Sequence, residues 1–298
     1  MSEQTEPFRA GYVAIVGRPN VGKSTLLNRL VGQKLSITSR RPQTTRDRVI
    51  GILTQPGAQF VFVDTPGIQS AHGSRLNRYM NRSATQALEQ VDVVALVIEA
   101  LRFGAQDKKI LTGIPDATPV VAVVNKIDRL DDKAALLPFL ASLSSAYPFR
   151  EIVPVSAETG LQADVLLRVL RQLLPESAPI YGEDELTDRS ERFLAAELIR
   201  EKLFRLLGEE VPYATAVEIE RFEQEGNLRR ISASILVERD GQKPIVIGKG
   251  GDKLKAIGTQ ARQDMEKLFG GKVFLELFVK VREGWMDNPA ALKRLGYD

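Results

Sequence analysis

The chain has no cysteine and only one histidine, His72, among its 298 residues. Without cysteine there can be no disulfide, no thiolate nucleophile and no Cys-ligated zinc. A lone histidine excludes His-pair metal sites and leaves little room for a Ser-His-Asp mechanism. No uninterrupted apolar run approaches the roughly 18 residues of a membrane span. The opening stretch, MSEQTEPFRA, has no basic flank leading into an apolar segment and does not read as a signal peptide. A strong charge of one sign is also missing, since the formal net charge is +3. These absences fit a reducing, cytoplasmic compartment. Any catalysis must work without thiol or imidazole.

What is present is ordinary globular material, 43% hydrophobic and 27% charged, in a length that suggests about two domains. Short β-branched runs alternate with helical stretches up to Leu174. Strands are expected at Tyr12–Val16, Val49–Thr54, Phe60–Val63, Val91–Ile98, Val120–Val124 and Ile152–Val155. Their continuous apolarity suits strands covered by helices on both faces. Gln55-Pro56-Gly57-Ala58 turns the second strand back against the third. The expectation is an α/β first domain over 8–176, a doubly wound sheet with one antiparallel strand. Pro175 to Pro179 breaks the pattern, and 175–182 reads as a linker. Residues 183–298 then give a smaller α+β domain: a long helix, two strands, Gly248-Lys249-Gly250-Gly251 opening a helix, and a last strand.

Gly17-Arg18-Pro19-Asn20-Val21-Gly22-Lys23-Ser24 fits G-x-x-x-x-G-K-[ST] between a strand and a helix, the context that the phosphate-binding loop requires. Its backbone N–H groups and the helix N-terminus would cradle phosphate. Lys23 would reach the β- and γ-phosphates, and the Ser24 hydroxyl would ligate Mg²⁺. Asp64-Thr65-Pro66-Gly67 ends the third strand, where a carboxylate can hold Mg²⁺ and the Gly67 N–H can meet the γ-phosphate. Thr44 or Thr45, with Thr45 favoured, would complete the metal shell while γ-phosphate is present. Lys23, Thr45 and Gly67 are therefore the expected catalytic groups. Asn125-Lys126-Ile127-Asp128 selects the base, because a carboxylate can accept from guanine's ring N–H and amine, a donor pair adenine lacks. Ser156-Ala157 would offer the Ala157 N–H to the guanine carbonyl. GTP and GDP are the expected ligands.

In the second domain, Ile247-Gly248-Lys249-Gly250-Gly251 lacks side-chain bulk, so a nucleic-acid backbone can approach its N–H groups. Lys249, Lys253 and Lys255 would add phosphate contacts. Segment 227–282 holds 12 basic and 6 acidic residues, so the basic excess gathers around this loop. Ile245, Val246, Ile247, Leu254 and Ile257 read as core that shapes the groove.

The first domain resembles the translation-factor-related GTPases, in the branch with G-R-P-N-V-G-K-S, T-T-R-D and D-T-P-G. The C-terminal domain resembles a KH domain of type II. Together with Phe278 to Arg282, Gly284-Trp285 and the ending Leu295-Gly296-Tyr297, the chain resembles the Era family. That resemblance implies a GTPase switch that binds 16S ribosomal RNA near its 3′ end and acts in small-subunit assembly. It further implies a monomer with peripheral contact at the inner face of the cell membrane. Ile68 stands where a Ras-like GTPase carries its water-positioning glutamine, which implies slow hydrolysis in isolation. Asn20 matches a residue that related GTPases use to help bind K⁺. Two other functions fit the same residues: a GTP-gated RNA scaffold with negligible hydrolysis, and a membrane-surface GTPase.

Overall fold

The structure is a computed structural model that describes residues 7–39, 41, 44–66, 74–208 and 210–297. They form two compact units. The first contains the described residues of 1–36, 45–69 and 80–188, and the second those of 37–44, 70–79 and 189–298.

The first half of the chain gives β1 (Arg9–Val16), α1 (Lys23–Val31), β2 (Val49–Gln55), β3 (Ala58–Asp64), α2 (Arg75–Glu89) and β4 (Val93–Glu99). These are followed by α3 (Ala105–Leu111), β5 (Val120–Asn125), α4 (Leu136–Ala146), β6 (Glu151–Pro154) and α5 (Ala163–Leu173). The six strands run in the order β2-β3-β1-β4-β5-β6, and only β2 is antiparallel. Apolar runs produce this sheet because both of its faces are covered. Ala14, Val16, Leu96, Ile98, Ala122 and Val124 pack with Leu88, Ile110 and Leu143 of α2, α3 and α4. The alternate positions Val13, Ile15, Val93, Val97 and Val123 are just as buried. With parallel strands, the β1, β3, β4 and β5 carboxyl ends come to one edge, which is where ligands bind in such sheets.

Residues 177–188, expected to be linker and the start of the second domain, lie against the first unit instead. Gln59 of β3 is fully buried and accepts from the Ile180 and Tyr181 amides at 2.7 and 2.9 Å. Farther along, the Ile52 amide donates to the Leu186 carbonyl at 2.8 Å. This segment has no helical or strand periodicity, so its docking was not visible as a pattern.

The second unit contains α6 (Glu191–Leu206), β7 (Thr215–Glu225), β8 (Leu228–Val237), α7 (Lys243–Ile247), α8 (Asp252–Phe269), β9 (Lys272–Val281) and α9 (Pro289–Arg294). Ser190 caps α6 by accepting from the Phe193 amide. The sheet order is β7-β8-β9, antiparallel then parallel. One face, with Val217, Ile231, Ile235 and Val279, packs on Leu198, Ile199, Ile257 and Met265 of the long helices. The α7 helix corrects the sequence pattern, in which Ile245-Val246-Ile247 ran straight into the glycine loop. Val246 is buried there, whereas Ile245 is 40% exposed and not core. The described residues of 37–44 and 70–79 group with this unit through contacts that sequence periodicity does not encode. The Arg41 guanidinium donates to the Leu207 and Gly208 carbonyls, both at 2.8 Å, closing the C-terminal end of α6. Leu76, from the first turn of α2, is buried with Trp285, Ala291 and Leu292 of the C-terminal tail. No helix among the described residues is long and apolar enough to cross a membrane.

Candidate nucleotide site and nucleic-acid interface

The strand ends gather most of the expected nucleotide residues. Gly22 ends the phosphate loop at φ 103°, and a Cβ there would stand 2.3 Å from Asn125 Nδ2. Only glycine permits that approach. Asn125 is buried and bridges three motifs: Nδ2 donates to the Val21 carbonyl at 2.8 Å, and Oδ1 accepts from the Ala157 amide at 2.9 Å. The Ala157 N–H, expected to meet the guanine carbonyl, is thus engaged by Asn125. Ser156 accepts from the Thr159 amide and holds the loop that carries Ala157.

Lys23 is buried, and its ammonium donates to the Gly17 and Arg18 carbonyls, both at 3.0 Å. Burial lowers its pKa to about 8, opposed by the Asp64 charge. Ser24 Oγ donates to Asp64 Oδ2 at 2.7 Å and lies 3.0 Å from Thr45 Oγ1. A further hydroxyl, Ser36 Oγ, donates to the same Asp64 oxygen at 2.8 Å. Nothing in the motifs pointed to Ser36. Burial raises the Asp64 carboxyl, against the Lys23 charge and the hydroxyl and backbone hydrogen bonds that lower it. Its other oxygen, Oδ1, is buried without a hydrogen-bond partner. Two hydroxyls and a carboxylate with an orphaned oxygen are hard donors that suit Mg²⁺. No cluster of three His, Cys, Asp or Glu side chains exists among the described residues to compete for a metal.

Thr44 is not at this cluster, because its hydroxyl donates to the Arg41 carbonyl at 2.8 Å. Thr65 donates to the Ile15 carbonyl, and Pro66 is buried beside it. Arg18 donates to the buried Asp107, Pro19 is half-buried, and Asn20 is exposed at φ 65°. Lys126 and Ile127 are half-buried, and Asp128 is exposed. Gly67, Ile68 and His72 lie outside the described residues.

The glycine loop sits between α7 and α8. Gly248, at φ 78°, lies so close to α8 that a Cβ would stand 2.9 Å from the Lys253 amide nitrogen. Gly250 and Gly251 also have positive φ, with open space around them. Lys249, Lys253 and Lys255 are all exposed. Lys253 packs beside the loop, but Lys255 is two residues farther, about 200° around the helix. Lys253 therefore stands beside the loop that carries Lys249, and Lys255 lies on another side of the helix. Val246 and Ile257 are core, with Ile247 and Leu254 partly buried against it.

A family model for 50S ribosome-binding GTPases matches residues 12–126, and a KH-domain model matches 210–286. GTPase Era of Nitrosomonas eutropha is 58% identical over 291 residues, covering 98% of each chain. GTPase Era of Stenotrophomonas maltophilia is 58% identical over 299 residues, covering both chains completely. The chain belongs to the Era family of GTPases. Like other Era proteins it joins a P-loop domain that hydrolyses GTP to a KH domain. Two solved Era structures match it at 42% identity, covering 97% of this chain and 99% of theirs. A variant from Aquifex aeolicus bound to GDP and aluminium fluoride has a TM-score of 0.94. An Era complex with MgGDPNP and nucleotides 1506–1542 of 16S ribosomal RNA has a TM-score of 0.93.

Proposed function

We propose that this chain couples Mg²⁺-dependent GTP hydrolysis to binding of 16S ribosomal RNA near its 3′ end during small-subunit assembly. The observation that carries the coupling is the division between two consecutive threonines. Thr45 joins Ser24 and Asp64, whereas Thr44 is held with Arg41 in a segment that groups with the KH unit. A nucleotide-dependent change at Thr45 is therefore one peptide bond from a segment held by the KH unit. The solved relative with both MgGDPNP and 16S nucleotides supports the pairing of these two ligands.

Ser24, Thr45 and Asp64 would hold Mg²⁺, which when bound neutralises charge on the β- and γ-phosphates. Lys23 and the loop amides bind those phosphates, and Asp128 accepts from guanine. Ile68 cannot orient a water, so hydrolysis in isolation is slow. Asn20 helps hold K⁺ near the phosphates; equal rates in Na⁺ and K⁺, together with an unaltered Asn20→Ala variant, would refute this. Binding to anionic liposomes at moderate salt tests the peripheral membrane contact that the family resemblance implies, and its absence would remove that contact.

Cross-linking the protein to cellular RNA, followed by sequencing, tests the whole assignment. Enrichment at the 3′ end of 16S RNA is expected, and reads scattered over messenger RNAs would overturn it. Multiple-turnover assays with and without that RNA fragment separate a hydrolytic switch from a GTP-gated scaffold.

A further inference from the structure

Lys126, in the base-recognition segment, has its ammonium tied down by a residue outside every nucleotide motif. Glu99 ends β4 directly opposite Asn125 of β5. Its Oε2 accepts from Lys126 Nζ at 2.9 Å, and its Oε1 lies 3.2 Å from an Arg102 guanidinium nitrogen. The two side chains of the first pair are 24% and 18% exposed, which shields the pair from the screening that weakens surface ion pairs. Burial works to raise the Glu99 carboxyl, but the Lys126 hydrogen bond and charge, with Arg102 and Arg18 behind them, hold it below the ordinary range.

The Lys126 backbone is in the left-handed region, φ 66° and ψ 31°, and caps the short turn Ile127–Arg129 that carries Asp128. The four-carbon stem of Lys126 is thus fixed at both ends. The same β4–α3 segment also reaches the phosphate loop. Arg18 donates to Asp107 Oδ1 and to the Arg102 carbonyl, both at 2.8 Å. Asp107 is fully buried, and its other oxygen accepts from the Gly104 amide at 3.0 Å. Residues 99–107 therefore hold Lys126 at one end and Arg18 at the other.

We propose that Glu99 is a positioning residue for guanine-nucleotide binding, whose carboxylate fixes the Lys126 stem as a preformed wall beside Asp128. A free lysine side chain would lose its rotamer freedom when the base arrives, and that loss would weaken binding. Here it is taken during folding. The inference rests on Asp128 recognising the base, which Asp128→Asn tests separately: a shift from guanine toward xanthine nucleotides is expected.

The test titrates the full chain with a fluorescent GDP, using Glu99→Gln, Glu99→Ala, Lys126→Met and the Glu99→Ala/Lys126→Met double variant. Glu99→Ala should weaken GDP and GTP binding about tenfold, and Glu99→Gln by less. Single-turnover hydrolysis from the saturated complex should stay within about twofold, since only binding is affected. In the Lys126→Met background, removing the carboxylate should change affinity little. Wild-type affinity in Glu99→Ala would overturn the proposal. So would an undiminished loss in the Lys126→Met background, or a lowered melting temperature with unchanged affinity. If Asp128→Asn retains guanine preference, base recognition is wrongly assigned, while the Glu99–Lys126 coupling is still read from the same titrations.

Discussion

Thr45 Oγ1 stands 3.0 Å from Ser24 Oγ, beside an Asp64 carboxylate with one oxygen left unpartnered, while the neighbouring Thr44 hydroxyl is bound to the Arg41 carbonyl. Two adjacent threonines thus have separate roles. Thr45→Ala should raise the Mg²⁺ concentration for half-maximal hydrolysis about 10–100-fold, the range typical of residues that support a metal site. Thr44→Ala should leave that concentration within about threefold, because its hydroxyl reaches no metal donor. Hydrolysis measured across a Mg²⁺ titration distinguishes them. Equal effects in both variants would remove Thr45 from the metal site.

Asn125 makes a second prediction, since its side-chain amide ties the Val21 carbonyl and the Ala157 amide to its own strand end. Asn125→Ala leaves a carbonyl and an N–H buried without partners, at about 1–3 kcal/mol each. Asn125→Asp retains the acceptor for Ala157 but aims a carboxylate oxygen at the Val21 carbonyl. Urea unfolding without nucleotide should therefore show a loss of about 2–4 kcal/mol for Asn125→Ala and at least as much for Asn125→Asp at neutral pH. A loss below about 0.5 kcal/mol would mean that the three motifs are held by something else.

These two sites also show what was legible in the sequence. The strands were, because parallel strands buried on both faces need unbroken apolar runs such as Val120 to Val124. The phosphate loop and Asp64 were legible too, because their chemistry fixes residue types at strand ends. Contacts that depend on chain segments meeting in space were not. Ser36 bonds to Asp64 across 28 residues, and Gln59 to Tyr181 across 122, with no local pattern marking either. Short helices were hidden for another reason. In α7, Ile245-Val246-Ile247 carries the β-branched signature of a strand, and five residues are too few to show helical periodicity. Lys255 was grouped with Lys253 by proximity in sequence, but helical geometry separates them.

Gln59 predicts how firmly residues 180–186 are held. Its Oε1 accepts from the Ile180 and Tyr181 amides, and its Nε2 donates to the Tyr181 carbonyl at 2.9 Å and to Thr54 Oγ1 at 3.0 Å. Gln59→Leu should destabilise the protein by about 2–4 kcal/mol and speed proteolytic cleavage within 177–188. The Tyr181 phenol supplies an independent readout. Burial beside Tyr12, whose hydrogen bond adds to the effect, raises its pKa to about 12. An unfolded tyrosine ionises near 10, so the unfolded state loses its proton first as pH rises. The Tyr181 contribution to stability is complete below about pH 10 and disappears as pH climbs toward 12. A phenolate absorbance titration should show a late-ionising component from Tyr181 in the wild type. That component should be absent in Tyr181→Phe and shifted toward 10 in Gln59→Leu. An unshifted Gln59→Leu titration would show that the segment stays docked without Gln59.

The glycine loop allows the nucleic-acid interface to be tested with little risk of unfolding the KH unit. At Gly248 any side chain would collide with the Lys253 backbone, so Gly248→Asp would change the loop itself as well as its charge. Gly250 has φ 61° and nothing within 4 Å of a Cβ. Asp tolerates that left-handed region better than most residues. Gly250→Asp therefore places a negative charge in the loop, beside Lys249, while the fold is preserved. RNA affinity should fall about tenfold or more at physiological salt, and the loss should shrink as salt screens the charge. GTP binding should match the wild type. Lys253→Ala should also weaken RNA binding and reduce its salt dependence, whereas Lys255→Ala, on another side of α8, should do so far less. Filter binding of a 16S 3′-end oligonucleotide across a salt series measures all three variants. Wild-type affinity in Gly250→Asp would exclude this loop as the RNA contact.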